Sequence, residues 1–200
     1  MLDPLTDTIQ GVVNFTWPMI IISTVIMTSF RVCFLLKNHE KIVIYKELWM
    51  LMFGIYILCL FQVVTFQDDV SWSTNNFIPF QEILRYDITS RLFIKNVLGN
   101  MLLFLPFGFF TSYYLKSEKI HLPLLLTFIA SISIEIVQMI IGRVFDVDDI
   151  ILNLIGGALG FFLYNTFRIL GESLPSFCQK EWFRNIIAII LLISLFIWII

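Results

Sequence analysis

Apolar residues run along this chain in blocks long enough to cross a bilayer, broken by short polar segments. A spanning helix needs about 20 mostly apolar residues, and such blocks stand at Pro18–Leu36, Leu48–Phe66, Phe93–Leu115, Leu122–Ile141, Ile150–Leu170 and Trp182–Ile200. The pattern predicts an all-α, polytopic membrane protein, a helical bundle of about six transmembrane helices. The sixth block is the least well defined, because its wholly apolar part begins only at Ile186. The first does not have the basic leading region of a cleaved signal peptide, since Asp3 and Asp7 precede it.

Composition agrees with this reading. Hydrophobic residues fill 58% of the 200 positions and charged ones 14%, and the mean hydropathy of +0.89 lies far above that of a soluble domain. A net charge of -2 without a long basic run gives no electrostatic footprint for nucleic acid, and no Rossmann, P-loop or zinc-finger pattern is present. No nucleic-acid partner is expected. Cys33, Cys59 and Cys178 are widely spaced, with no CxxC, so they suggest neither a disulfide framework nor a thiolate metal site.

Loop charge assigns the sides. Arg31, Lys37, Lys41, Lys46, Lys116, Lys119, Arg168, Lys180 and Arg184 fall on one side of the alternating spans. Arg85, Arg91, Lys95 and Arg143 fall on the other, with Asp68, Asp69, Glu82, Asp87, Asp146, Asp148 and Asp149. Lys and Arg near span ends stay in the cytoplasm, so the larger set is expected there and both termini outside. Trp17, Trp49, Trp72, Trp182 and Trp198 then lie at or near the interfaces, as an aromatic belt should.

With this topology the stretch "SIEIVQMIIGRVFDVDDIILNLIGG", Ser133 to Gly157, turns over on the outer side. At about 1.5 Å per residue, Gln138 and Glu135 lie roughly 5 and 9 Å below the outer end of the fourth span, and Asn153 roughly 5 Å below the start of the fifth. Asn96 and Asn100 on the third span are four residues apart and share a face. Three helices thus present amide and carboxyl groups in one shallow layer.

Each of these residues also has a plain structural explanation. Buried Asn bridges helices, and Gly156, Gly157 and Gly160 make a face suited to tight packing. Asp148 or Asp149 could cap the fifth span, and Asp146 could pair with Arg143. Three acids with Arg143, Glu135 and Gln138 nonetheless exceed what one cap requires, and ionisable groups in a span usually mark function. The expected binding set is Asn96, Asn100, Gln138, Arg143, Asp146, Asp148 and Asn153, with Phe80 and Gln81 from the long outer loop. Glu135 and Asp149 are the candidates for acid–base catalysis. The Asp-x-Asp-Asp spacing of Asp146, Asp148 and Asp149 is a weak match to a divalent-cation site, and no other cofactor is expected. In the outer loop, Gln67 to Leu92, Pro79 ahead of Phe80 and Gln81 suggests a dip into the interface. A short amphipathic turn follows, with Ile83, Leu84 and Ile88 on lipid, placed either as a lid over the layer or as a loop lying on the membrane surface.

Together these residues resemble the VanZ-like family, named for an accessory teicoplanin-resistance protein of Gram-positive bacteria. The resemblance runs from about Asn76 to Tyr164 and rests on "IPF" at Ile78–Phe80, "N-x-x-x-N-x-x-L-F-x-P-x-G" over Asn96–Gly108, "E-x-x-Q" at Glu135–Gln138 and "GRVFDVDDIILNLIGGALG" from Gly142. The expected organisation is an N-terminal transmembrane hairpin (1–75), a VanZ-like core (76–165) and a cytoplasmic loop with a last helix (166–200). The resemblance implies a small multi-pass protein of the bacterial cytoplasmic membrane and cell envelope, linked to lowered sensitivity to teicoplanin-like lipoglycopeptides. It does not imply a biochemical mechanism, and whether the chain is an enzyme stays open. One expectation is a protein that binds or modifies a membrane lipid, a lipid-linked envelope molecule or a lipoglycopeptide antibiotic; its catalytic form is an outer-leaflet transferase or hydrolase. The alternative is a structural bundle whose polar cluster only bonds helices together. A transporter is disfavoured, because no midplane charge or inverted repeat is evident.

The charge asymmetry makes orientation testable with the native cysteines replaced. In intact cells an impermeant thiol reagent should label Asp146→Cys and leave Lys41→Cys unlabelled; the opposite pattern would reverse the topology.

Overall fold

The computed structural model describes residues 3–65, 75–87, 90–173 and 175–199, with side chains for all of these except 3–16, 63–65 and 191–199. Its helices are α1 (Asp3–Asn38), α2 (Ile44–Thr65), the short α3 (Gln81–Arg85), α4 (Arg91–Leu115), α5 (His121–Ile140), α6 (Val147–Ser173) and α7 (Glu181–Ile199). Among the described residues, five are long and apolar enough to cross a membrane: α1 from Trp17, α2, α4, α5 and α6. They correspond to the first five apolar blocks of the sequence. The sixth block forms α7, whose side chains from 191 onward, Trp198 included, lie outside the described residues, as do Asp68, Asp69, Trp72 and Ile88.

Local chemistry ends these helices in one recurring way. At the end of α5, Gly142 turns to φ 87°, its N–H bonds Met139 O and the Arg143 N–H bonds Gln138 O. That pairing is a Schellman motif, which satisfies carbonyls the helix leaves open. The same pattern closes α1 at His39 (φ 52°) and α4 at Lys116 (φ 48°), two positions where a non-glycine residue takes the left-handed conformation. Within α4, residues Ile94–Leu98 wind as a π-helix before the α-helix resumes at Gly99.

The chain divides into two compact units, Met1–Val12 with Leu60–Phe167 and Val13–Cys59 with Arg168–Ile200. In the second unit, α1 and α2 are joined by a two-pronged ion pair, Arg31 Nε to Glu47 Oε2 at 2.8 Å and Nη2 to Oε1 at 3.1 Å. The Tyr45 N–H there donates to Asn185 Oδ1 of α7 at 3.0 Å.

In the first unit the polarity is inverted relative to a soluble core. On α5, Thr127, Ser131, Glu135 and Gln138 are buried, while Leu125, Phe128, Ile129, Ile136, Met139 and Ile140 are exposed. The buried set recurs at four, four and three residues, one face of a helix. Polar groups inward and large apolar groups outward is the arrangement a lipid surround favours. What α5 faces is α6, and what α6 faces next is α4. A Cβ added to Gly156 would strike the Met101 carbonyl oxygen, one on Gly160 that of Leu105, and one on Gly108 the Gly157 carbonyl oxygen. On the other side, a Cβ on Gly157 would meet Thr127 of α5. Small residues therefore let α4 and α6 touch backbone to backbone and let the Thr127 side chain of α5 lie against Gly157 of α6, with Phe104, Phe110, Leu152, Phe161 and Tyr164 filling the rest of the core.

Gly156→Ala and Gly160→Ala should each destabilise the protein by about 1–3 kcal/mol, the usual range for overpacking, because the obstruction is backbone that cannot turn aside. Gly171→Ala, with nothing within 4 Å of the added Cβ, should be neutral. Thermal melts of the purified variants in detergent would show the contrast, and equal melts for all three would remove the packing argument.

Candidate functional site

The turn between α5 and α6 gathers the polar residues of the first unit. Asp146, the residue before α6, accepts the Asp148 N–H on Oδ1 at 2.8 Å and thereby caps the helix. The same oxygen accepts from Asn76 Nδ2, also at 2.8 Å. The backbones of these two residues form an isolated parallel bridge, with Asn76 N–H to Phe145 O at 2.9 Å and Val147 N–H to Asn76 O at 3.1 Å. Asn76 thus fastens the start of the 75–87 strap to the mouth of α6. The sequence expectation is a cap from Asp148 or Asp149; the cap is Asp146, two or three residues earlier, and Asp148 has another task.

That task is to cap a different helix. Asp148 is 1% exposed, and its carboxylate accepts three backbone N–H groups of the strap: Phe80 on Oδ1, Glu82 on Oδ2 at 2.7 Å and Ile83 on Oδ2 at 3.1 Å. The N-cap position of α3 is Phe80, which has no side-chain acceptor and sits at φ 67°. Open N–H groups at a helix start need an oxygen, and this one comes from 68 residues away. Gln81 begins α3 and is exposed, as is the Phe80 ring.

Below the cap lies Glu135, 1% exposed. Its Oε2 accepts the Asp146 N–H at 2.9 Å. With the Gln138 amide oriented to suit its neighbours, Nε2 donates to Glu135 Oε1 at 3.0 Å and the amide oxygen accepts from Arg143 Nη1 at 3.2 Å. Asp149 accepts from Asn100 Nδ2 of α4, and the charges that reach it are those of Glu135, Asp146 and Asp148 together with Arg143. One turn deeper, Asn153 Nδ2 donates to Ser131 Oγ at 2.9 Å, where both are buried. Six of the nine expected binding residues, all but Asn96, Gln81 and Asn153, and both acid–base candidates fall within one set linked by hydrogen bonds and close charges, while Asn153 pairs with Ser131 one turn deeper.

Asn96 takes a different partner, donating to the Tyr86 hydroxyl at 3.0 Å. It lies inside the π-helical turn that separates it from Asn100, and π-turns recur at functional sites. Its bond is to the end of the strap, so it serves the same assembly from the other side. Asn76, Tyr86 and Ser131 were not singled out in the sequence. Ser131 was findable, because Thr127, Ser131 and Glu135 repeat at four-residue intervals on an otherwise apolar helix. The donors to Asp148, being backbone, carry no sequence signal.

The oxygens of the Asp-x-Asp-Asp segment do not converge: Asp148 is occupied by backbone donors on both oxygens, and Asp146 Oδ1 by two donors. Among the described residues, no group of three or more His, Cys, Asp or Glu side chains is arranged to hold a metal ion.

Three spans that meet at glycines, with a buried carboxylate–amide layer at one end and a strap clasped over it, define a polytopic helical membrane protein. The family model described as VanZ/LLP1 matches residues 53–169, more than half of the chain, and the chain belongs to this VanZ-like family. The matched stretch includes every residue of the layer. No curated protein and no solved structure matches the chain.

Burial raises the pKa of the Asp146 carboxyl above its ordinary value, opposed by the Asp148 N–H and the Asn76 amide and reinforced by the negative charges of Asp148 and Glu82. An acid raised in the folded state keeps a proton that the unfolded chain has lost. Its contribution favours folding at low pH and is lost as pH rises through the folded-state value. Asp146→Asn retains the oxygen that serves both donors, so it should fold and show a flatter pH dependence of melting. Asp148→Asn removes one of two occupied oxygens and should cost roughly 1–3 kcal/mol in unsatisfied donors. Melting curves across pH that rank the two variants the other way would contradict these assignments.

Proposed function

We propose that this VanZ-like membrane protein resides in the bacterial cytoplasmic membrane, and that its layer of Glu135, Gln138, Arg143, Asp149 and Asn100 receives the head group of an amphipathic envelope molecule. A membrane lipid, a lipid-linked envelope precursor or a lipoglycopeptide antibiotic has the required chemistry, an acyl part for the bilayer and a polar part for the layer. Lowered sensitivity to teicoplanin is the cellular consequence this reading carries, and the charge asymmetry of the loops supports an outward-facing layer. The observation that supports it most is the concentration of four carboxylates and Arg143 at one end of three spans, in positions where a purely structural bundle would be served by neutral amides. Ionisable groups so placed are costly and usually functional.

The structural reading has its own support. Glu135, Asp146, Asp148, Asp149 and Asn153 all hold partners inside the protein. Charge removal with shape retained separates the two. Glu135→Gln and Asp149→Asn keep most hydrogen-bonding capacity, and interhelical hydrogen bonds in membranes average only about 0.6 kcal/mol, so a bonding role should survive them. Expressed in a susceptible Gram-positive host and accumulating as the wild type does, both variants should lose protection against teicoplanin. Undiminished protection by both would assign these carboxylates to helix bonding.

A further inference from the structure

The strap presents apolar side chains that stand exposed among the described residues. Phe77, Ile78, Phe80 and Leu84 are 64, 64, 53 and 81% exposed, and α3 buries no residue. Its attachment is mostly polar, through Asn76 to Asp146, Asp148 to three N–H groups and Tyr86 to Asn96. Phe77 adds a ring stacked on Phe145 of the α5–α6 turn, centroids 5.4 Å apart. Four large apolar side chains on one short segment need a cover.

The position of the strap indicates that cover. It is bonded to the residues that open α6, beside the end of α5 and the start of α4, so it lies at the level where three spans leave hydrocarbon. Arg85, its side chain 70% exposed and paired with Glu82 at 3.2 Å, and Arg91, exposed at the first turn of α4, stand there among Glu82 and the exposed Asp87. Aromatic and aliphatic groups beside Arg match the boundary between acyl chains and phosphates. Protein interfaces also gather aromatic residues with Arg, so it is the position at the ends of three spans that selects the bilayer.

We infer that residues 77–85 form an interfacial anchor, with Phe77, Ile78, Phe80 and Leu84 immersed at the head-group boundary of an anionic phospholipid bilayer and Arg85 and Arg91 at its phosphates. Asp148 ties this anchor to the first turn of α6. The bilayer therefore holds the clasp closed, since the bonds to Asp148 form only where the strap is seated. The anchor rests on the proposed function solely in taking the layer beneath to serve a bilayer-resident molecule, and its test reads position and exchange, not drug sensitivity.

With Cys33, Cys59 and Cys178 replaced by alanine, spin labels at Phe77→Cys, Leu84→Cys and Asp87→Cys can be compared in phosphatidylglycerol–phosphatidylcholine vesicles. Oxygen should reach the first two labels more readily than a water-soluble nickel chelate, and Asp87 should show the opposite. Nickel access at Leu84 equal to that at Asp87 would put the strap in water. Exclusion of both reagents from Leu84 would mean that protein, such as a second copy, covers it; either result overturns the anchor. A second reading uses amide exchange in the same vesicles. Leu84→Gln combined with Ile78→Gln, both at exposed positions outside the Phe77–Phe145 stack, should speed exchange at Phe80, Glu82 and Ile83 by about tenfold or more, as for a local opening. Unchanged exchange would overturn the coupling to the bilayer.

Discussion

A carboxylate taken out of water at the end of a membrane bundle must find donors or be a net cost, and this protein finds them in its own backbone. Asp148 is satisfied by three N–H groups of the strap, Glu135 by the N–H of Asp146, and Asp146 by the N–H of Asp148. Such donors are available only at helix starts and turns, so the acids stand where α3 and α6 begin. The dependence runs both ways. α3 has no cap of its own and the strap no core of its own, so neither keeps its place without the acids that its N–H groups satisfy.

Close approach of the spans makes the layer continuous. Because Gly156 and Gly160 lie against the backbone of α4, and Gly157 against Thr127 of α5, side chains as short as Asn and Ser reach across. Asn100 meets Asp149 from α4, and Ser131 meets Asn153 from α5. The glycines and the polar residues are thus parts of one construction: the first set the spacing, and the second use it one and two turns nearer the end of the bundle.

Much of this was legible in the sequence. Block length identified the spans, since bilayer thickness leaves little choice, and the helical rise put Glu135, Gln138 and Asn153 at one depth near the span ends, which located the layer. The family motifs pointed to the same region. Three features were not legible, each for a physical reason. The donors to Asp148 are backbone amides, which every residue has, so nothing in "IPFQEI" advertises them. The π-turn at Ile94–Leu98 shifts Asn96 from the register that an ideal helix assigns, sending it to Tyr86. The cap on α6 is Asp146 and not a later Asp, because the helix starts at Val147, and helix starts are uncertain by a residue or two from pattern alone.

The strap and the start of α6 are joined at Asn76 and Asp146. These residues are paired in a backbone bridge and bonded side chain to side chain, a geometry in which two cysteines can reach one another. In membranes carrying Asn76→Cys and Asp146→Cys with the native cysteines replaced, mild oxidation should yield an intramolecular disulfide, detected after proteolysis between the two positions as fragments that separate only on reduction. A thiol pair that stays reduced under conditions that oxidise an exposed control pair would show that the strap does not seat on α6, and the layer beneath it would lose its roof.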